Sequence, residues 1–595
     1  MGDGPHSVLV AGSAVWVSDE YDGTIAQIDP SANKVASLLQ VGASPRGMTV
    51  DAAGRVWVAS GAFADPVHIG GTLRAVGTSI PGGQGVIDPA AVTDPTTISA
   101  QRFVYDGLVA LGMSGGSSSQ LAVSDLAMGP LPGNGNRTYV FTLRKGIRYS
   151  TGGEVHAADF RTALRKALTV GGKPEYFAGI VGARSCIDHP AACDLSSGLI
   201  TDDAARRVTF NLEKPDPMFL YKLSRFLYPV PPGTSGALSH VPVPGTGPYT
   251  IAAYVPGKTF TLRRNPYFKQ WSFAAQPAGY PETIDFRKVA SGQAGAEAVV
   301  EGRADVAWVY PASAPLRANL ESRYPDGDTT APQLKEQVLA QSDFEYLNTS
   351  MAPFDDTRVR QALNYAVDRN RLAAIKGAGA GYGVTCQVLP LNFPGYRWYC
   401  PYTTGSPDAY HGPDLAKAMQ LVALSGTRGM TVTVQGLVGG ADHELNLYFA
   451  SVLKELGYTV RLRELTPSEL PDDLGLLRSG HRVQITSAPV WVADYPAASN
   501  LFDDVFSCTT ATLAAGWYCN PQVERMAAEA HAAELSDPGR AARLWTAVYR
   551  LITDDAPVVA LGNPTQSLLV SPRAGAGNYQ SNPDVGPLLS QIWVR

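Results

Sequence analysis

This chain of 595 residues lacks several features that would place it in a membrane or assign it a cofactor. It contains no run of about eighteen consecutive apolar residues, which a transmembrane helix would need. No CxxC, HExxH or Walker A motif occurs, and the 9 histidines are scattered. The sequence therefore predicts no metal, no cofactor and no ATP hydrolysis by this chain.

The chain also lacks a strong charge of either sign. Its net charge is −5, with 45% hydrophobic and 17% charged residues, which is typical of a globular protein. Because no basic face is indicated, nucleic acid is not predicted as a partner. The length exceeds what one hydrophobic core can hold, so about two to four domains are expected.

The N-terminus, "MGDGPHSVLV", lacks the basic start and apolar core of a signal peptide, which taken alone favours the cytoplasm. The cysteines favour an oxidising compartment instead, because they fall in three local pairs that predict disulfides. Metal binding and free thiols are the alternatives. The six are Cys186, Cys193, Cys386, Cys400, Cys508 and Cys519. We therefore expect an extracytoplasmic protein, at the cell surface or in the periplasm, with an anchoring segment upstream of Met1.

The first sixty residues contain an internal repeat. "VWVS" at Val15–Ser18 returns as "VWVA" at Val56–Ala59, and the short strands "TIAQID" and "KVASLLQV" lie between them. A period near forty residues with four short strands is the size of one propeller blade. The segment resembles YVTN/NHL-like β-propeller repeats. A small β-appendage packed on the next domain is the alternative.

Downstream, the hydrophobic periodicity predicts an α/β protein. "HAADFRTALRKALTVGG" is predicted to be an amphipathic helix with Phe160, Leu164, Ala167 and Leu168 on one side. From about Phe344, strands such as "FEYLNTS" and "MTVTVQGL" alternate with helical segments. Such alternation favours a mostly parallel sheet covered by helices.

Four segments carry a family resemblance. They are "GEVHAADFRTALRKAL", "GTGPYTIAAYVPGKTFTLRRNPYF", "FEYLNTSMAPFDDTRVRQALNYAVDRNRL" and "WVADYPAASNLF", and they occur in family order. Together they resemble the extracellular solute-binding proteins of family 5, the oligopeptide- and dipeptide-binding components of ABC importers. The resemblance covers about residues 71–595.

The resemblance implies a two-lobed clamp of the periplasmic-binding-protein type (type II, cluster C) with an insertion domain, preceded by the propeller-like segment. The domains that follow are a β-fragment at 1–60, a linker at 61–71, lobe I at 72–340 plus 556–595 with an insertion at about 97–231, and lobe II at 341–555. Hinge closure of such lobes encloses a ligand.

Two family segments have plain structural interpretations. "GTGPY" is predicted to be a rigid turn that enters a strand, because glycine permits tight backbone angles and Pro248 restricts one torsion. "DDTRVRQALNYAVDRNRLAAIKG" is predicted to be one helix with a core-facing side and a solvated arginine face.

Asp494 in "VWVADYPAASN" is the leading candidate site residue. A carboxylate in apolar surroundings needs a partner. In peptide-binding relatives the matching acid pairs with the ligand α-amine, which is a charge-assisted contact. A helix N-cap or an internal salt bridge are the alternatives. The sequence shows no evident arginine that would bind a ligand carboxylate.

Aromatic residues near Asp494 and near the cysteines are candidate walls of the ligand site, with core packing as the alternative. They are Trp491, Tyr495, Trp517, Tyr518 and Trp398, with Tyr396 and Tyr399 beside the last. "GMSGG" at 112–116 fits GxSxG, but it lacks the preceding strand and following helix of a nucleophile elbow, so no enzyme is predicted.

The family resemblance and the propeller-like segment lead to two hypotheses for the function. The first is capture of a small amine-bearing solute, a peptide in particular, for delivery to separate ABC permease subunits in the membrane. The second is ligand sensing by the outer part of a membrane-anchored regulatory protein, suggested by the propeller-like segment.

Overall fold

The structure is a computed structural model with side chains. It describes residues 5–12, 14–19, 24–41, 45–51, 53–60, 68–83, 85–91, 94–112, 122–309, 314–324, 332–377, 382–466, 468–469, 483–487, 490–509, 518–574, 581–582 and 586–594. The predicted linker at 61–71 and the GxSxG loop fall largely outside the described residues.

The strands are β1 (Pro5–Ala11), β2 (Ala14–Asp19), β3 (Thr24–Asp29), β4 (Lys34–Gln40), β5 (Pro45–Val50), β6 (Val56–Ser60), β7 (Thr72–Gly77), β8 (Val109–Leu111), β9 (Ala122–Ser124), β10 (Ala127–Gly133), β11 (Thr138–Leu143), β12 (Leu199–Asp202), β13 (Arg207–Asn211), β14 (Tyr249–Val255), β15 (Thr259–Arg264), β16 (Thr283–Lys288), β17 (Val306–Trp308), β18 (Gln333–Val338), β19 (Gln341–Leu347), β20 (Tyr382–Gly383), β21 (Thr431–Leu437), β22 (Thr459–Leu465), β23 (Ile485–Ser487), β24 (Trp491–Val492), β25 (Val558–Val570), β26 (Ser581–Asn582) and β27 (Gly586–Pro587).

The α-helices are α1 (Pro95–Gln101), α2 (Ala157–Val170), α3 (Ala183–Asp188), α4 (Phe219–Phe226), α5 (Gly292–Val300), α6 (Ala314–Arg323), α7 (Thr357–Ala366), α8 (Arg369–Gly377), α9 (Leu415–Ser425), α10 (Gly440–Glu455), α11 (Ala498–Leu501), α12 (Pro521–Glu534) and α13 (Pro538–Asp555). A π-helical turn covers Phe502–Phe506, and 3₁₀ turns cover Pro174–Phe177, Pro190–Ala192, Pro572–Ala574 and Leu589–Gln591.

The chain divides into two compact units. Unit 1 comprises Met1–Val309, Tyr324–Lys335 and Leu568–Arg595, and unit 2 comprises Tyr310–Arg323 and Glu336–Ser567. The lobe and insertion boundaries given above stay predictions.

The N-terminal part of unit 1 consists of small antiparallel sheets. Strands β1 to β4 form a four-stranded sheet in sequence order, and β5 pairs with β6 as a separate hairpin. Strand β5 lies against β1 and β2. The repeated "VWV" segments are β2 and β6, so the repeat seen in the sequence corresponds to two hairpins.

The larger sheet of unit 1 has the order β14-β15-β16-β7-β17, followed by the end of β25. A second sheet, β10-β11-β13-β12, is covered by α2, whose Phe160, Leu164, Ala167 and Leu168 are buried as predicted. Among the described residues, the main core of unit 1 begins at Leu73 and includes these four residues but none from β1 to β6.

The "GTGPY" segment enters β14 at Tyr249, as predicted. A Cβ atom on Gly247 would approach the Val104 carbonyl carbon to 2.8 Å, and one on Gly245 would collide with the Val104 carbonyl oxygen. Close backbone contact, rather than a left-handed torsion, therefore explains these two glycines.

Unit 2 is built on the sheet β25-β19-β23-β21-β22. Strands β21, β22 and β23 are parallel, but β19 runs antiparallel to its neighbours β23 and β25, so this sheet is mixed. Helices α7 to α10 pack with β21 around one core, and α12 and α13 form part of a second core.

The predicted single helix in the third family segment is interrupted. It ends at Ala366, because Val367 adopts an extended conformation with φ −76° and ψ 125°, and resumes at Arg369. The solvated arginine face is also a wrong prediction for two residues, since Arg360 and Arg369 are 5% and 1% exposed.

The three predicted disulfides are present, joining Cys186 to Cys193, Cys386 to Cys400 and Cys508 to Cys519. Within the described residues, no helix is both long and apolar enough to cross a membrane.

Candidate functional site

The segment around Asp494 begins on a short strand and ends on a helix. Strand β24 pairs with β19, with Trp491 opposite Ser342, and the Ala493 amide donates to the Ala340 carbonyl at 2.9 Å. A bend follows, and α11 starts after Ala497. Asp494 therefore sits where an edge strand turns into a helix.

Asp494 is 7% exposed, and its backbone amide donates to Asn500 Oδ1 at 2.9 Å. The N-cap of α11 is Ala497, which makes no side-chain cap. The N-cap interpretation of Asp494 is therefore wrong for this helix, because another residue occupies that position.

Trp491 is 2% exposed and lies in the core of unit 2, with its ring edge-on to Phe393 at 5.7 Å between centroids. Its Nε1–H donates to Asp504 Oδ2 at 3.1 Å. Tyr495 is also buried, at 2% exposure. The packing of Trp491 and the burial of Tyr495 agree with the alternative of core packing, and the role of both residues as ligand walls stays a prediction.

The aromatic residues beside the disulfides have different environments. Tyr518 is buried, and its hydroxyl donates to Asp555 Oδ2 at 2.7 Å; burial and the Asp555 carboxylate raise the pKa of this phenol. Trp398 is 40% exposed, so its ring remains available for contact. The Tyr399 hydroxyl donates to Asp554 Oδ1 at 2.6 Å. Trp517 lies outside the described residues.

Two polar residues beside Asp494 were missed by the sequence reasoning. Asn500 and Asp504 are 0% and 8% exposed, and Asn500 Nδ2–H donates to Asp504 Oδ2 at 3.2 Å. The available signal was the polar "N…DD" spacing inside the otherwise apolar "SNLFDDVF". Buried polar groups of this kind are normally satisfied by one another.

The neighbouring Asp503 faces a histidine. His531 Nε2 lies 3.4 Å from Asp503 Oδ1, and its Nδ1 lies 3.3 Å from Glu534 Oε2. Burial lowers the pKa of His531, but hydrogen bonds to Asp503 and Glu534 outweigh that effect and raise it to about 10. The imidazole is therefore protonated at neutral pH and links α12 to the π-helical turn.

Unit 1 contains a separate polar cavity of about 20 Å³, room for about one water molecule. Burial raises the pKa of nearby Asp106 to about 7, against hydrogen bonds from Gln276 and Thr246, and burial together with the Asp106 charge raises the pKa of Asp125. The cavity is lined by Arg102, Tyr105, Gly107, Ala110, Leu111, Asp125, Ser224, Tyr228, Ala275 and Gln276. Since two close buried carboxyls resist joint ionisation, this pair holds a proton near neutral pH.

No group of three or more His, Cys, Asp or Glu side chains among the described residues is arranged to bind a metal ion. Near Asp494, the described residues of unit 2 provide a buried carboxylate whose backbone amide is hydrogen-bonded to Asn500.

Comparison with known proteins identifies the family. The model of the bacterial extracellular solute-binding proteins, family 5 Middle, matches residues 123–512, which is more than half of the chain. The glutathione-binding protein GsiB of Escherichia coli (strain K12) is 24% identical over 494 residues, covering 80% of this chain and 86% of that protein. GsiB of Salmonella typhimurium is 24% identical over 498 residues with the same coverage.

Solved structures share the fold. A clavulanic acid biosynthesis oligopeptide binding protein 2 has a TM-score of 0.75 at 21% identity, covering 89% of this chain and 96% of that one. Haemophilus influenzae OppA in complex with RPPGFSPFR has a TM-score of 0.66 at 19% identity, covering 88% and 98%. Helicobacter pylori DppA in complex with the peptide STSA has a TM-score of 0.67 at 18% identity, covering 89% and 98%.

Fold and sequence together define an extracytoplasmic solute-binding protein of ABC-type import, with the α/β fold of the cluster C periplasmic binding proteins. The chain belongs to the bacterial extracellular solute-binding proteins of family 5. The predicted family is therefore confirmed, and so is the absence of an enzymatic role, because this is a family of binding proteins. The match begins at residue 123, so β1 to β6 lie outside it.

Proposed function

We propose that this protein binds a peptide through its α-amino group, with Asp494 as the acceptor. The position of Asp494 is the main observation that supports this proposal. This residue is only 7% exposed and follows an edge strand, and its backbone amide is hydrogen-bonded to Asn500. A primary ammonium is a good partner for such a carboxylate, because the contact is charge-assisted and directional.

Relatives support a peptide as the ligand class. Two are named as glutathione-binding proteins, and the titles of two structural neighbours give the bound peptides RPPGFSPFR and STSA. The permease subunits of an ABC importer are the partners that would receive the peptide.

Replacing the acid tests the assignment. Asp494→Asn keeps the size of the side chain and removes its charge, so affinity for a free-amine peptide should fall by about 2–5 kcal/mol. Isothermal titration calorimetry with a tripeptide mixture, and with the same mixture after N-acetylation, measures the change.

Asp408→Asn is the matched control, because the Asp408 side chain is 74% exposed and lies in the same unit. It should leave both titrations unchanged. Equal affinity of Asp494→Asn and the parent protein for the free-amine mixture would refute the amine assignment.

We further propose that β1 to β6 derive from a β-propeller, as one blade and the first hairpin of the next. The four-stranded antiparallel sheet β1 to β4, the repeated "VWV" strands and the packing of β5 against β1 support this origin. Val8, Val10 and Trp57 are 69%, 70% and 57% exposed, and faces of this kind are covered by neighbouring blades in complete propellers.

A further inference from the structure

Adjacent aspartates in the π-helical turn Phe502–Phe506 have different partners. Asp504 Oδ2 accepts two hydrogen bonds, from Trp491 Nε1–H at 3.1 Å and from Asn500 Nδ2–H at 3.2 Å. Asp503 instead contacts His531. Single π-helical turns are rare and often occur at functional sites.

The contact between Asp504 and Asn500 determines the orientation of the Asn500 amide. Because Asp504 Oδ2 acts as an acceptor here, it faces the NH₂ end of the asparagine side chain, which is the donor end. The carbonyl end, Oδ1, must then point the other way, where it accepts the backbone amide of Asp494 at 2.9 Å. The side chain of Asn500 therefore connects Asp504 to the backbone amide of Asp494 through two hydrogen bonds.

We propose that Asp504 is a positioning residue for the ligand amine. Through Asn500 and Trp491 it holds both the strand before Asp494 and the backbone amide of Asp494 itself. This inference rests on the proposed role of Asp494, since a frame for that carboxylate affects binding only if the carboxylate contacts the ligand.

The matched pair of variants is Asp504→Asn and Asp503→Asn. Both replace an aspartate of the same turn by its isosteric amide, but Asp504 contacts Asn500 and Trp491, whereas Asp503 contacts His531. Affinity for a free-amine tripeptide mixture is measured by calorimetry for each variant, in the parent protein and in the Asp494→Asn background.

In the parent protein, Asp504→Asn should lower the affinity for the free-amine mixture about tenfold. In the Asp494→Asn background, the same substitution should lower that affinity by less than about twofold. Asp503→Asn should change affinity by less than about twofold in both backgrounds. A residue that merely supports the fold would not lose its effect when Asp494 is already replaced.

Hydrogen exchange gives a readout that needs no ligand. The amide of Asp494 should exchange faster in Asp504→Asn than in the parent protein or in Asp503→Asn, because an asparagine at position 504 can present either its oxygen or its NH₂ group and no longer fixes the orientation of the Asn500 amide. If Asp504→Asn does not fold, Asn500→Ala removes the same link and should show the same dependence on Asp494.

The outcomes separate the two proposals. Equal binding by Asp494→Asn and the parent protein, or no binding of the tripeptides by either, overturns the proposed function and this inference with it. The positioning role alone is overturned if Asp494→Asn clearly loses affinity but Asp504→Asn does not. It is also overturned if Asp504→Asn lowers the affinity by the same factor in the parent protein and in the Asp494→Asn background.

Discussion

At the scale of single residues, Glu345 is an unusual choice for the interior of a strand. It lies on β19 with 1% of its surface exposed, accepts a hydrogen bond from Ser487 Oγ at 3.0 Å, and has no hydrogen-bond partner for Oε1 among the described residues. Burial raises its pKa from 4.5 to about 8; the Ser487 hydrogen bond opposes the shift and the Asp343 charge adds to it.

The raised pKa predicts a pH-dependent stability. Between pH 4.5 and about 8 the folded state holds a proton on Glu345 that the unfolded state releases, so this group lowers stability as the pH rises through that range. Glu345→Gln should remove that contribution and raise the free energy of unfolding at pH 8 by about 1–3 kcal/mol, with little change at pH 4.5.

Urea unfolding at the two pH values measures this effect, with Glu444→Gln on the exposed side of α10 as the control. A stability gain of equal size at both pH values would show that ionisation of Glu345 is not its cause.

At the scale of elements, the buried side chain of Arg369 helps to explain why the predicted long helix is divided. Arg369 starts α8 and donates to the Thr385 carbonyl at 3.1 Å, the Asn364 carbonyl at 3.0 Å and Asn364 Oδ1 at 3.1 Å. Asp368 Oδ1 accepts the amide of Asn370 at 2.9 Å. The break between α7 and α8 is thus held by side chains that satisfy free backbone groups.

Arg369→Lys should destabilise the protein by about 2–3 kcal/mol, because an ammonium cannot reproduce the three directional hydrogen bonds of the guanidinium and remains buried. Arg371→Lys, two residues along on the exposed side of the same helix, is the control. Thermal unfolding of the two variants measures the difference, and equal midpoints would contradict this account of the break.

Helices α7 and α8 show what hydrophobic periodicity can and cannot predict. The apolar spacing of "RVRQALNYAVDRNRL" predicts helix correctly on both sides of the break, since Val359, Ala362, Leu363 and Leu372 are all buried. It does not predict the interruption, because one acceptor that stabilises it, the Thr385 carbonyl, becomes a neighbour of Arg369 only in the folded chain. The average preference of arginine for solvent predicts an exposed side chain, but carbonyl acceptors override that preference at Arg369.

At the scale of the whole molecule, the N-terminal sheets belong to unit 1 but lie outside the family match. Their described residues are absent from the main core of unit 1, and they precede the family match at 123–512. Deletion of residues 1–60 should therefore leave the affinity for a free-amine tripeptide mixture within about twofold of the full chain.

Calorimetry on the full chain and the deletion variant checks this expectation, with circular dichroism to show that the remainder is folded. A large loss of affinity in a folded deletion variant would assign the N-terminal sheets to ligand binding.

The sequence by itself determined the family, the α/β class, the paired cysteines and Asp494 as the leading candidate, because motif order, hydrophobic period and local spacing are properties of the chain. Tertiary structure alone decided which polar residues frame Asp494, that Trp491 is a tethered core residue, and that Arg360, Arg369 and Glu345 are buried. The physical reason is that burial and hydrogen-bond partners depend on segments far apart in the chain, such as β19 and β24, that meet only on folding.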